Sequence, residues 1–185
     1  MIALWVAFGV LGALTTALAV SQLAIFTHFG RMYVTSDEGR AKQGPELGSQ
    51  LSPIALQRLS GEVDRLPATG LSTALVFAST SCSACNDLKP DLAKLASDRE
   101  DLLIALICSG PAEDVESWAA DVGPGIAVYA DPKAAVAAKY GVMLTPVFAL
   151  AHPDGIVKGR GVLRDADQIR SLLPQPGEEN VLVGG

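Results

Sequence analysis

Cys82-Ser83-Ala84-Cys85 stands directly after the apolar run Ala74-Leu75-Val76-Phe77-Ala78. The run reads as a buried strand and the segment after Cys85 reads as a helix. Two thiols at this spacing can close a disulfide across one helical turn. A strand that delivers a Cys-x-x-Cys pair to a helix N-terminus is the arrangement of a redox site. It commits this part of the chain to an α/β architecture.

The flanking pattern agrees. Leu88, Leu92 and Leu95 fall at i, i+4 and i+7, one face of a helix, and Pro90 inside that stretch predicts a kink. Leu102 to Ile107 is an unbroken apolar run, which suits a central strand buried on both faces. Glu113 to Val122 reads as helix, with Val115, Trp118 and Val122 aligned, and Ile126 to Ala130 as a strand. Asp131-Pro132 is a helix start leading to Tyr140. Thr145-Pro146 opens a strand over Val147 to Leu150. Asp154-Gly155 is a hairpin turn before a strand from Ile156, and Asp165 to Leu173 closes the pattern as a helix. The order βαβαβαββα predicts a mixed sheet with helices on both faces and antiparallel pairing at one edge. Upstream, Leu56, Leu59, Val63 and Leu66 recur at helical spacing, so Pro53 to Leu66 is expected to hold a short helix.

The N-terminal part is of another kind. The first thirty residues contain no Lys, Arg, Asp or Glu, and Ile2 to Phe26 is broken only by Thr15, Thr16, Ser21 and Gln22 among polar residues. A bilayer core needs about 20 apolar residues in a helix. Ala17-Leu18-Ala19 resembles a signal-peptide cleavage site, but no basic segment precedes it and the apolar stretch runs on to Phe26. A retained transmembrane helix in the lipid bilayer is the expectation. The organisation follows: anchor over 1–27, linker over 28–52, α/β domain over 53–173 and a flexible tail over 174–185. The net charge of −6 argues against a nucleic-acid partner. Arg31, Arg40 and Lys42 follow the anchor, which by the positive-inside rule points the domain to the cytoplasm. A disulfide chemistry points it outward, to an oxidising compartment.

From Ala74 to Leu173 the chain resembles the thioredoxin superfamily. The resemblance rests on Cys82-x-x-Cys85 after a strand, Pro90, Tyr140-Gly141-Val142, Thr145-Pro146 before a strand, and the Asp154-Gly155 hairpin. With the uncharged N-terminal span, Gly44-Pro45-x-x-Gly48, Ser79-Thr80-Ser81 before Cys82, and Thr145-Pro146-Val147-Phe148, it is most similar to membrane-anchored MauD/TlpA-type proteins. The resemblance implies a thioredoxin-like fold, a central mixed sheet flanked by helices. It implies thiol–disulfide exchange with cysteine-containing protein substrates outside the cytoplasm, beside a membrane redox partner of the MauE type, and no cofactor. It also implies a cis Pro146, with Thr145 and Pro146 offering a backbone edge to the substrate chain. Four positions depart from thioredoxins proper: Ser81 replaces a Trp, Ser83-Ala84 replaces Gly-Pro, and Val76 stands where a buried carboxylate is found.

Cys82, at the helix N-terminus, is the expected nucleophile, since free N–H groups and the helix dipole stabilise its thiolate. Cys85, one turn inward, is the expected resolving thiol. A purely structural disulfide is the competing reading, but so small a loop adds little chain-entropy stabilisation. A zinc site needs about four ligands, and only Cys108, His28 and His152 accompany the pair. Cys108 is expected in the core and His152 in a solvent-exposed loop. Two further functions stay open: a non-enzymatic accessory subunit of a membrane complex, and a metal chaperone using the two cysteines and His152.

Overall fold

The computed structural model describes residues 2–35 and 43–174. The chain forms two units, one over 1–40 and one over 41–185. In the first, helix α1 runs over Ile2–Thr35, past the Phe26 boundary of the apolar stretch. Its segment Phe8–Ile25 is long and apolar enough to cross a membrane. At 1.5 Å per residue these 18 residues span about 27 Å, against about 30 Å of hydrocarbon.

The second unit is built on a five-stranded mixed sheet in the order β5-β4-β3-β6-β7. The strands are β3 (Ser72–Ser79), β4 (Leu102–Ser109), β5 (Ile126–Ala130), β6 (Val147–Ala151) and β7 (Val157–Val162). β3, β4 and β5 are parallel. β6 runs antiparallel to β3, and β7 to β6. The two unbroken apolar runs become the neighbouring strands β3 and β4. Their side chains alternate between two cores, one on each face of the sheet. Ala74, Val76, Ala78, Ile104, Leu106 and Cys108 enter one core. Leu75, Phe77, Ala105 and Ile107 enter the other.

The first core is closed by α2 (Ser83–Asp87), α3 (Lys89–Asp98), α4 (Ala112–Ala119) and α6 (Asp167–Arg170). Leu88, Leu92 and Leu95 are buried as their spacing predicts. The expected kink is a break instead. The chain divides at Leu88, and Pro90 occupies the first turn of α3, where the missing N–H of proline costs no helical bond. The second core is covered by α5 (Ala135–Lys139), by Leu51 and by Leu66.

The helix expected over Pro53 to Leu66 does not form. In its place β1 (Ile54–Gln57) and β2 (Val63–Leu66) make an antiparallel hairpin. Gly61 turns the chain at φ +97°, a conformation side chains disfavour. Of the four residues at helical spacing, Leu66 is buried, Leu56 half-buried, and Leu59 and Val63 exposed. Asp64 joins Arg58 and the hydroxyl of Tyr129. A backbone bond from Leu59 N to Val128 O at 3.0 Å ties the hairpin to the β5 edge.

Residues 43–52, expected within a linker, also lie on this unit. Leu51 is buried, Gly48 N donates to Val157 O at 2.8 Å, and Ser52 O accepts from the Tyr140 hydroxyl at 2.6 Å. The rest of the expected tail beyond Pro174 lies outside the described residues.

Candidate active site

β3 ends at Ser79, and the three residues after it deliver Cys82 to the cap of α2. The connection is pinned on both sides. Thr80 N donates to Ser109 O at 3.1 Å, extending the β3–β4 ladder one step, and Cys82 N donates to Ser79 O at 3.1 Å. The end of β4 crosses close to this turn because Gly110 lacks a side chain. A Cβ there would sit 2.6 Å from Thr80 Oγ1, at a φ of +146°.

Cys82 has extended backbone angles, φ −93° and ψ 108°, as a cap residue should. Its sulfur accepts from Cys85 N at 3.2 Å. The same N–H also lies 3.2 Å from the Cys82 carbonyl oxygen, so it is shared between the sulfur and the first turn of the helix. Cys82 and Cys85 are joined as a disulfide with Cα atoms 5.3 Å apart. The two sulfurs differ in access: Cys82 is half-buried between exposed Ser81 and Ser83, while Cys85 is 3% exposed.

Thr145 and Pro146 precede β6, and the bond between them is cis. Phe77 pairs with Val147 across β3 and β6. The ladder therefore brings the Thr145–Pro146 loop to the sheet end where β3 releases the cysteine loop. Pro146 is buried and Thr145 half-buried. The site thus collects the four residues singled out from sequence at one end of the sheet.

His152 is elsewhere. It follows β6, whose far end pairs with Thr73 at the opposite end of β3. It is half-buried, not a free loop residue, and its Nε2 lies 3.0 Å from Leu172 O. Among the described residues no group of three His, Cys, Asp or Glu side chains could hold a metal ion.

Cys108 is fully buried on the α2 side of the sheet. Burial pushes its thiol up to about 11, and the ammonium of Lys89 acts in the opposite direction. Lys89 is a buried charge that pattern reading passes over. It lies among the apolar positions of α3, is buried, and donates to Trp118 O at 2.7 Å. The available signal was a lysine between Leu88 and Leu92, four residues after Cys85. Trp118, read as core, is buried, and its indole N–H donates to Asn86 Oδ1 at 2.5 Å. This bond ties α4 to α2.

No protein-family model matches the sequence, and no curated protein sequence matches it. Solved structures do. A Chlorobium tepidum protein assigned as a DsbE thiol:disulfide interchange protein superposes with a TM-score of 0.62 at 23% identity, over 69% of this chain and 93% of that one. The thioredoxin domain of a thiol-disulfide oxidoreductase from Bacteroides vulgatus gives 0.61 at 20% identity, over 68% and 94%. StoA from Bacillus subtilis gives 0.56 at 17% identity, over 65% and 96%. At these identities the likeness concerns architecture: the chain has the thioredoxin-like α/β fold, a central mixed sheet flanked by helices, with a candidate membrane span at its N-terminus.

Proposed function

We propose that this protein is a membrane-anchored thiol–disulfide oxidoreductase that exchanges disulfides with cysteines of protein substrates on the extracytoplasmic side of the membrane. The observation that carries the reading is the asymmetric pair, an accessible cap cysteine bonded to a buried one beside the Thr145–Pro146 loop. One fold neighbour is the thioredoxin domain of a thiol-disulfide oxidoreductase, and another is a secreted disulfide oxidoreductase of Mycobacterium tuberculosis. In this reading Thr145 and Pro146 present backbone to the substrate chain, and a multi-span MauE-type protein is the membrane redox partner.

The chemistry follows from the geometry. A substrate thiolate attacks Cys82 Sγ, the Cys82–Cys85 bond breaks, and its electron pair leaves on Cys85 Sγ. The product is a mixed disulfide between substrate and Cys82. A second substrate thiolate attacks the substrate sulfur of that bond and releases the Cys82 thiolate. The substrate is then oxidised and the pair reduced. The reverse sequence reduces a substrate disulfide, with the Cys85 thiolate resolving the intermediate.

The test is covalent capture. Cys85→Ser removes the resolving sulfur and should accumulate mixed disulfides through Cys82, visible as reductant-sensitive higher-mass bands. Cys82→Ser should accumulate almost none, because Cys85 is buried. Equal capture by both variants would reverse the roles. Absence of capture, together with an inert wild type in an insulin-reduction assay, would favour an accessory subunit that keeps the fold without turnover.

A further inference from the structure

Lys89 is 9% exposed. Its ammonium has one hydrogen-bond acceptor, Trp118 O, and stands 4.0 Å from the centre of the Trp118 ring. No ion pair involves it among the described residues. The other buried charged residue, Asp131, is in a different position, since its carboxylate accepts from the backbone amides of Ala135, Val136 and Ala137 at 2.8–3.0 Å. A buried cation without a counter-ion is costly.

Cys85 lies four residues before Lys89, and the intervening Leu88 keeps right-handed helical angles, φ −80° and ψ −18°. Trp118 joins the two across the break at Leu88: its carbonyl holds the Lys89 ammonium, and its indole donates to Asn86, the residue after Cys85. Both side chains are buried, and Cys85, Cys108 and Trp118 belong to one core. On and beside α6, Arg164, Asp165 and Asp167 are exposed, and Arg170 is half-buried and paired with Asp98 and Asp167. β3 and β6 carry no ionisable residue, and Asp87, Asp91, Lys94, Glu113, Asp114 and Glu116 are exposed on the helices. Val76, in the same core, is apolar and buried.

We propose that Lys89 is a positioning residue whose ammonium is the counter-charge of the Cys85 thiolate formed when the Cys82–Cys85 disulfide opens. This rests on the exchange reading above. When a substrate thiolate attacks Cys82 Sγ, the electron pair of the broken bond goes to Cys85 Sγ. One negative charge thereby moves from the substrate into the core, with no proton transferred in that step. Lys89 receives it as an ion pair. The buried Cys108 thiol of the same core is raised by desolvation and lowered by this ammonium.

The test isolates one thiol and needs no turnover. In the full chain carrying Cys82→Ser and Cys108→Ala, the ultraviolet absorbance of the thiolate follows Cys85 alone. Lys89→Met should leave about tenfold less Cys85 thiolate at neutral pH, the equivalent of one pKa unit. Lys89→Arg should restore most of it. An unchanged Cys85 titration in folded Lys89→Met protein, or no rescue by arginine, would overturn the proposal. If Lys89→Met does not fold, the Cys108→Ala protein with Lys89 intact serves. The carbon NMR resonance of Lys89 Cε should move as Cys85 titrates in the reduced protein and stay flat in the oxidised one, and flat behaviour in both states would overturn it. These readouts do not depend on substrate capture, so failure of the exchange reading shows separately, as a Cys85→Ser protein that captures nothing.

Discussion

Cys108 shows what burial does to a thiol that has no exchange partner. It sits fully buried at the end of β4, and Cys108 O accepts from Asp131 N at 2.8 Å. Desolvation raises its thiol from 9.0 to about 11. The sign of the linkage is fixed by that direction. The folded state holds the proton more tightly than the unfolded chain, so the contribution to stability is fully present below pH 9. It is lost as pH rises through about 11. Urea midpoints of wild type and Cys108→Ala should therefore differ by a constant amount below pH 9 and converge toward the variant's behaviour above it. Comparison with the variant also cancels Tyr140, whose hydroxyl burial raises to about 12. A difference that stays flat to pH 11 would mean that the thiol is hydrated. The residues legible in the sequence at this scale are those with a local signature: the cysteine pair, Pro146 before its strand, and Cys108 in an apolar run. Lys89 was not legible, because its role depends on Trp118, 29 residues away, and on which way the broken helix turns.

At the scale of elements, the hairpin over Ile54–Leu66 is held by a polar cluster that no periodicity encodes. Arg58 and Asp64 form an ion pair, and Asp64 also accepts from Tyr129, which is 1% exposed. Arg58 pulls the Asp64 carboxyl below its ordinary range, while desolvation opposes it. Asp64→Ala leaves the Tyr129 hydroxyl without this acceptor in a buried setting, which costs about 1–3 kcal/mol. The urea midpoint should fall accordingly. Tyr129→Phe added to Asp64→Ala should cost less than the sum of the two, since the orphaned hydroxyl is gone. Strict additivity would show that water already satisfies Tyr129. The same cluster explains why helical spacing misled. Leu56, Leu59, Val63 and Leu66 fit a 3.6-residue period by coincidence, and two of them end up exposed. The central strands and the helix after Cys85 were legible because their burial is decided within the segment. The hairpin was not, because its partners lie on β5.

At the scale of the molecule, the open matter is where the α/β unit resides. Phe8, Leu11, Leu14, Leu18 and Leu23 are all more than half exposed along α1. Burying such side chains is worth about 1.5–3 kcal/mol each, so this face gains far more from hydrocarbon than from water. The helix also runs unbroken through Ala17-Leu18-Ala19 to Thr35. We therefore expect the mature protein to keep residues before Val20 and to stay with membranes after alkaline carbonate extraction. A mature N-terminus at Val20, with the protein in the soluble fraction, would identify the segment as a cleaved signal. Orientation is a separate measurement. Arg31, Arg40 and Lys42 after the helix favour a cytoplasmic domain, whereas a Cys82–Cys85 disulfide persists best in an oxidising compartment. Three basic residues are a small bias, and the redox requirement acts on the function itself. A membrane-impermeant thiol reagent applied to briefly reduced, intact cells should label Cys82 in the Cys85→Ser, Cys108→Ala protein. Labelling seen only after the cells are lysed would place the domain in the cytoplasm, and the exchange chemistry would then have to draw on the cytosolic thiol pool.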